Sequence, residues 1–184
     1  MTRNLIVAVV IGVIASVWTV ESHAWSLVKS KTGMCLDLTR FPAGDGNQGR
    51  QVLAWPCHTR ANQQWTQESS KSSPDRSLLF QMQGSQRLCL DLTRFPAGDG
   101  GKGREVLAWP CHERENQQWQ VAREAYAPRG VVGSGGTISL NGMCLDVSRF
   151  PAGDGGQGRQ VLAWPCHGRE NQQWLIISPG DFLY

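Results

Sequence analysis

Cysteine, aspartate and tryptophan recur three times along the chain at one fixed spacing. Cys35, Asp37, Trp55 and Cys57 form the first set. Cys89, Asp91, Trp109 and Cys111 form the second, and Cys144, Asp146, Trp164 and Cys166 the third. The two cysteines of each set are 22 residues apart, so equal spacing in near-identical units predicts one disulfide within each repeat. Each bridge would stabilise the fold by roughly 3 kcal/mol on a loop-entropy estimate. A zinc site would show Cys-x-x-Cys pairs, which are missing, and no metal is expected.

If the bridged cysteines face one another across an antiparallel hairpin, Asp37 opposes Trp55, Asp91 opposes Trp109, and Asp146 opposes Trp164. Side chains alternate faces along a strand, which sends Leu36, Leu38, Val52 and Ala54 the other way, into a core. Each bridge would then hold a carboxylate beside an indole on the outer face. That pair suits a pyranose: the indole stacks on the apolar C–H face, and the carboxylate accepts strong, charge-assisted hydrogen bonds from vicinal hydroxyls. A stiff indole also loses little freedom on binding. The competing reading has Asp37 tying down a local backbone amide and Trp55 as a half-buried core residue. Residue chemistry alone leaves the two level.

The elements that must carry these residues are short strands in a repeated unit. Met34–Trp65, Leu88–Trp119 and Met143–Trp174 are copies of one sequence, offset by 54 and then 55 residues. Short apolar runs such as Val52-Leu53-Ala54-Trp55 are bounded by Gly- and Pro-rich stretches and read as strands. Further strand candidates precede each unit, at Trp25–Val28, Ser77–Gln81 and Thr137–Leu140, and another follows, clearest at Trp174–Ile177. About four strands per repeat and twelve in all result. No copy looks like a polar capping repeat, so closure is expected rather than an open stack. The repeats run over about residues 25–72, 73–127 and 128–184.

The N-terminus predicts the compartment. Arg3 precedes an apolar run from Leu5 to Val17, and Ser22-His23-Ala24 has the small residues of a cleavage site. This is the layout of a secretory signal peptide over residues 1–24, cleaved after Ala24. The apolar run is shorter than the roughly 20 residues a spanning helix needs, so no stable membrane insertion is expected after cleavage. An even cysteine count fits an exported chain, secreted to an extracellular or periplasmic space. The formal charge is only +3 and arginines are scattered, which argues against nucleic acid as a partner.

Cys-Leu-Asp, the Trp-Pro-Cys at 55–57 and the terminal Asn-Gln-Gln-Trp with its Gln-x-Trp signature resemble the ricin B-chain-type (R-type) lectin family. They recur three times over nearly all of residues 25–184. The resemblance implies an all-β fold, a β-trefoil of three pseudo-symmetric repeats: a six-stranded barrel capped by three hairpins. It also implies a ligand set per repeat: Asp37, Trp55, Asn62 and Gln63; Asp91, Trp109, Asn116 and Gln117; Asp146, Trp164, Asn171 and Gln172. The signature Gln is expected to be partly structural, and Trp65, Trp119 and Trp174 to be core residues. The chain departs from the family where Leu53, Leu107 and Leu162 replace a polar residue two before the Trp, which argues against carrying over galactose as the ligand.

Each repeat also has a long Arg-Phe-Pro-Ala-Gly-Asp-Gly loop, expected at the rim of its pocket. Asp45, Asp99 and Asp154 within it read as organisers of Gly-rich turns; the alternating acids of a calcium loop are missing. His58, His112 and His167 follow a cysteine at each rim, either as surface residues or as sugar contacts. Arg50, Arg104 and Arg159 could meet an acidic sugar or stay solvated.

The function expected is a secreted carbohydrate-binding protein, with up to three equivalent sites for glycans or glycoconjugates and no cofactor. Three sites would multiply avidity for a multivalent ligand. No nucleophile has a base and orienting partner marked out, so no catalysis is expected. The rival is a protein-contact trefoil: a protease inhibitor, or the receptor-binding subunit of a secreted assembly with a partner chain.

Overall fold

A computed structural model describes residues 25–126 and 135–181. The leader expected over residues 1–24, and part of the Gly-rich joiner between the second and third repeats, lie outside them. Twelve strands follow in three groups of four. The first group is β1 (Leu27–Ser30), β2 (Met34–Ala43), β3 (Gly49–Pro56) and β4 (Thr66–Ser69). The second is β5 (Ser77–Gln83), β6 (Gln86–Ala97), β7 (Gly103–Pro110) and β8 (Gln120–Val121). The third is β9 (Ile138–Leu140), β10 (Met143–Ala152), β11 (Gly158–Pro165) and β12 (Trp174–Ile177). Helical structure among the described residues is confined to short 3-10 turns.

The chain closes on itself twice. Strands β4 and β5, β8 and β9, and β12 and β1 pair antiparallel between repeats. Single bridges from Ser26 to Trp65, Ser77 to Trp119 and Gly136 to Trp174 complete a ring of six strands. The hairpins β2–β3, β6–β7 and β10–β11 cap it. Their second strands pair in a triangle, β3 with β7, β7 with β11 and β11 with β3. Closure of both ring and triangle protects edges that would otherwise offer unpaired backbone groups. This is the β-trefoil implied by the repeated motifs.

One core serves all three repeats. Leu36, Leu38, Val52 and Ala54 of the first hairpin enter it with their counterparts from the other two. Trp65, Trp119 and Trp174 lie at its centre, each 0–1 % exposed. Their indole N–H groups donate to the carbonyls of Leu36, Leu90 and Leu145 at 2.8–2.9 Å, so each of these three buried indoles is satisfied.

The three disulfides join Cys35 to Cys57, Cys89 to Cys111 and Cys144 to Cys166, one per repeat. The hairpin register differs from the expected one by two residues. Cys35 opposes Trp55 and Asp37 opposes Leu53, with the same shift in the other repeats. Pro56, opposite Met34, is the last residue of β3. Cys57 lies past the end of the ladder and reaches back diagonally to Cys35, with Cα atoms 5.0 Å apart. A bridge needs that distance, not direct opposition. Because the shift is even, each side chain keeps its expected face: Asp37 and Trp55 share one side as diagonal neighbours.

A bulge aims the rim of each hairpin. Between the pairs Leu38–Val52 and Pro42–Arg50, three residues of β2 face one of β3. Thr39, Arg40 and Phe41 loop outward, and the Thr39 hydroxyl holds the turn by accepting from the Phe41 N–H at 3.1 Å. Pro42 is tolerated at such an irregularity, where no ladder donor is required.

Candidate functional site

Asp37 sits on the floor of the first pocket rather than on an open face, only 7 % exposed. Its Oδ2 accepts from Asn62 Nδ2 at 2.7 Å and from Gln63 Nε2 at 2.9 Å. His58 Nε2 lies 3.5 Å from the same oxygen. The Arg60 N–H donates to His58 Nδ1 at 3.3 Å, so in the neutral ring the proton resides on Nε2, facing the carboxylate. The 3-10 turn Ala61–Gln63, just before Trp65, delivers both amides.

Gln63 is wholly buried and ties three segments together. Its amide also donates to Pro56 O at 3.2 Å, and its oxygen accepts from the His58 N–H at 2.7 Å. It therefore supports the site from beneath, whereas Asp37, Trp55 and Asn62 line the cavity. The resemblance placed it among the ligand residues as a partly structural member; here it is buried and bonded to Asp37.

The arrangement recurs twice. Asp91 accepts from Asn116 at 2.8 Å and Gln117 at 2.9 Å, with His112 at 3.5 Å. Asp146 accepts from Asn171 at 2.8 Å and Gln172 at 3.0 Å, with His167 at 3.5 Å. Trp109 and Asn116 line the second cavity, and Trp164 and Asn171 the third, while Gln117 and Gln172 are wholly buried. Burial raises all three carboxyl pKa values above the ordinary 3.8, and the amide hydrogen bonds and the facing histidine only partly offset it. The carboxylates are thus poorly hydrated acceptors held in place by amide donors, suited to hydroxyl groups that replace lost water.

Each half-buried indole is wedged by the loop of a different repeat. A Cβ at Gly153 would lie 2.5 Å from Trp55 Cζ3, and one at Gly158 would lie 2.6 Å from Trp55 Cε3. Only glycine permits that approach, and Gly153 also has φ +77°, which favours glycine. The loop of the first repeat wedges Trp109 in the same way, and that of the second wedges Trp164. The long loop therefore lies at the rim of its own pocket through Arg40 and Phe41, and at the rim of its neighbour's through its glycines. Leu53 is buried at 3 % and packs where the Gly153 loop meets the indole, which explains an apolar residue at this position.

The remaining rim residues have mixed roles. Arg50 Nη1 donates to Gly49 O at 2.8 Å and Asn47 O at 3.3 Å, fastening its own loop, and Arg104 and Arg159 repeat this. Arg40 lies 5.6 Å from the ring of Phe41, and Arg94 and Arg149 stand likewise over Phe95 and Phe150. Arg149 also pairs with Asp99 of the second repeat at 2.7 Å, a bond between well-exposed groups and hence a weak one. Sequence reasoning missed the contact of histidine with the carboxylate, although His58, His112 and His167 all stand directly after the bridge cysteine.

Ring, triangular cap and three outward pockets define a β-trefoil of the lectin class. A family model for the ricin-type β-trefoil lectin domain matches residues 79–184, and one for the ricin-type β-trefoil lectin domain-like family matches residues 15–100. The chain belongs to this family. No curated protein matches it. Among solved structures it is similar to ThreeFoil, a designed 3-fold symmetric protein, at 21 % identity and TM-score 0.59, covering 83 % of this chain and 97 % of that one. It is also similar to a Macrolepiota procera ricin B-like lectin in complex with lactose, at 22 % identity and TM-score 0.57, covering 87 % and 99 %. An earthworm R-type lectin C-half in complex with GalNAc aligns at 18 % identity and TM-score 0.51, covering 84 % and 98 %.

Proposed function

We propose that this protein is a secreted, non-enzymatic lectin whose three pockets each hold one sugar. The indole (Trp55, Trp109 or Trp164) stacks on the ring. The carboxylate (Asp37, Asp91 or Asp146) accepts from hydroxyls, and Asn62, Asn116 or Asn171 both orients the carboxylate and contacts the sugar. The buried Gln63, Gln117 and Gln172 hold the carboxylate in register, and the histidines complete its donor set. The observation that carries this reading is the threefold repetition of one conjunction: a buried, amide-fixed carboxylate below a half-buried indole at a solvent-open cavity. The lactose and GalNAc complexes of the two related lectins support a glycan as ligand.

A glycan-array screen of the oxidised chain Trp25–Tyr184 tests it, with Asp37→Asn, Asp91→Asn and Asp146→Asn combined as the control. Asparagine keeps an oxygen for the amide donors while removing the charge, so the control should stay folded and lose binding. A folded control that binds as well as the parent would sink the site. No binding by either protein would shift weight to contact with a secreted partner chain.

A further inference from the structure

The repeats are nearly identical, but the structure does not make their pockets alike. The first hairpin of the next repeat in the ring lies toward each pocket, and these hairpins differ in how far they reach. Strands β5 and β6 continue pairing through Gln81–Leu88, Met82–Arg87 and Gln83–Gln86. The corresponding β9–β10 turn closes at Leu140–Met143. As a result Gln81, Met82 and Gln83 wall the first cavity, which measures about 560 Å³ and is continuous with Asp37 and Trp55. The second cavity, with no hairpin wall, measures about 160 Å³. At the third, Thr32 and Met34 border an adjoining hollow of about 310 Å³ that shares Ser148 and Asn171 with the pocket itself. Arg149, drawn toward Asp99, lines both that hollow and the sugar pocket of about 210 Å³.

The extension at the first site is held firmly. Gln81 is buried, and its Nε2 donates to the backbone carbonyl of Asn62 at 2.9 Å, coupling the hairpin to the backbone of the candidate sugar-binding residue. Arg87 pairs with Glu68 at 2.5 Å and lies over the Phe80 ring at 3.8 Å. Met82 is nevertheless 58 % exposed, a large apolar side chain at the edge of the cavity. An exposed thioether beside an amide is the surface a second pyranose would use: C–H groups on Met82, hydroxyls on Gln83.

We propose that the first site is an extended cleft that takes an oligosaccharide of at least two rings, whereas the second takes only a terminal sugar. This rests on the reading of the pockets as sugar sites. Variants with a single intact site, made by Asp→Asn at the other two, would be titrated on an array presenting each terminal sugar alone and at the end of di- and trisaccharides. The first-site variant should bind the longer glycans at least about fivefold more tightly than the terminal sugar alone. The second-site variant should show no such preference. Met82→Ala with Gln83→Ala, both at exposed positions, should bring the first-site ratio toward one. Equal ratios at both sites, or a ratio untouched by the double variant, would overturn the extended cleft while leaving the lectin reading intact. Absence of glycan binding by the parent chain would overturn both.

Discussion

Substituting Gly158 by alanine should disturb a tryptophan of another repeat and spare the one in its own hairpin. Gly158 begins β11, six positions before Trp164, yet its Cα points at Trp55 of the first repeat. Its backbone lies outside the left-handed region, so alanine is opposed by space alone. The new methyl would stand 2.6 Å from Trp55 Cε3, 2.9 Å from Ala152 O and 3.0 Å from Ala54 O. Ordinary carbon–carbon contact needs about 3.5–4.0 Å, so the indole must withdraw by roughly 1 Å, because the two carbonyls block retreat of the methyl itself. Overpacking of this kind costs roughly 1–3 kcal/mol. For a chain of this size that lowers Tm by roughly 2–12 °C. Calorimetry gives the stability, and the indole N–H resonances in a proton–nitrogen spectrum identify the residue that moves. Trp55 should shift most and Trp164 little; first-site glycan binding should weaken with it. A shift centred on Trp164, or a Tm unchanged within about a degree, would refute the cross-repeat wedge.

Four other outcomes rest on the same geometry. Glycan binding should fall as pH is lowered through the raised pKa of Asp37, Asp91 and Asp146, with a midpoint above the ordinary 3.8; binding that persists to pH 3 would separate the carboxylates from recognition. The sign for stability is opposite: a raised folded-state pKa means the fold holds more protons than the unfolded chain, so these groups favour the fold most below that pKa and least above it. Their contribution should be isolated by comparing Tm against pH for the parent and the triple Asp→Asn chain. Removing one bridge as Cys35→Ala with Cys57→Ala should cost about 3 kcal/mol and lower Tm without changing the register at β2–β3, checked by calorimetry and hydrogen exchange. Gln63→Leu should leave the Asp37 carboxylate short of a donor and the His58 N–H unpaired, costing about 1–3 kcal/mol and weakening the first site alone in titrations of single-site chains.

The strands and faces were readable in the chain because they depend on parity. Leu36, Leu38, Val52 and Ala54 alternate with Cys35, Asp37 and Trp55, and a slip of two residues leaves that alternation unchanged. Register itself was not readable from the cysteines: a disulfide tolerates a diagonal, and Cys57 lies just past the end of the ladder at Pro56. The candidate carboxylate and indole were visible for the same reason as the faces. The burial of the carboxylate was not, since Asp37 looks like any surface aspartate until Asn62, Gln63 and His58 are gathered around it.

What the sequence hid best is the use made of one repeat by the next. A glycine carries no side chain to advertise a contact, so nothing in the Gly-rich loop announced that Gly153 and Gly158 seat Trp55. Repetition itself was misleading about equivalence. Three copies of one motif suggest three equal sites, yet each pocket takes its floor from one repeat and a wedge from the one before, and the first alone takes a wall from the one after. The first two contributions are copied threefold; the wall is not. Differences among the sites must therefore reside in the hairpins that the motif excludes, at Gln81–Gln83, at Thr32, and at the short β9–β10 turn. Selection acting on those few positions can change what one site accepts without touching the core that all three share.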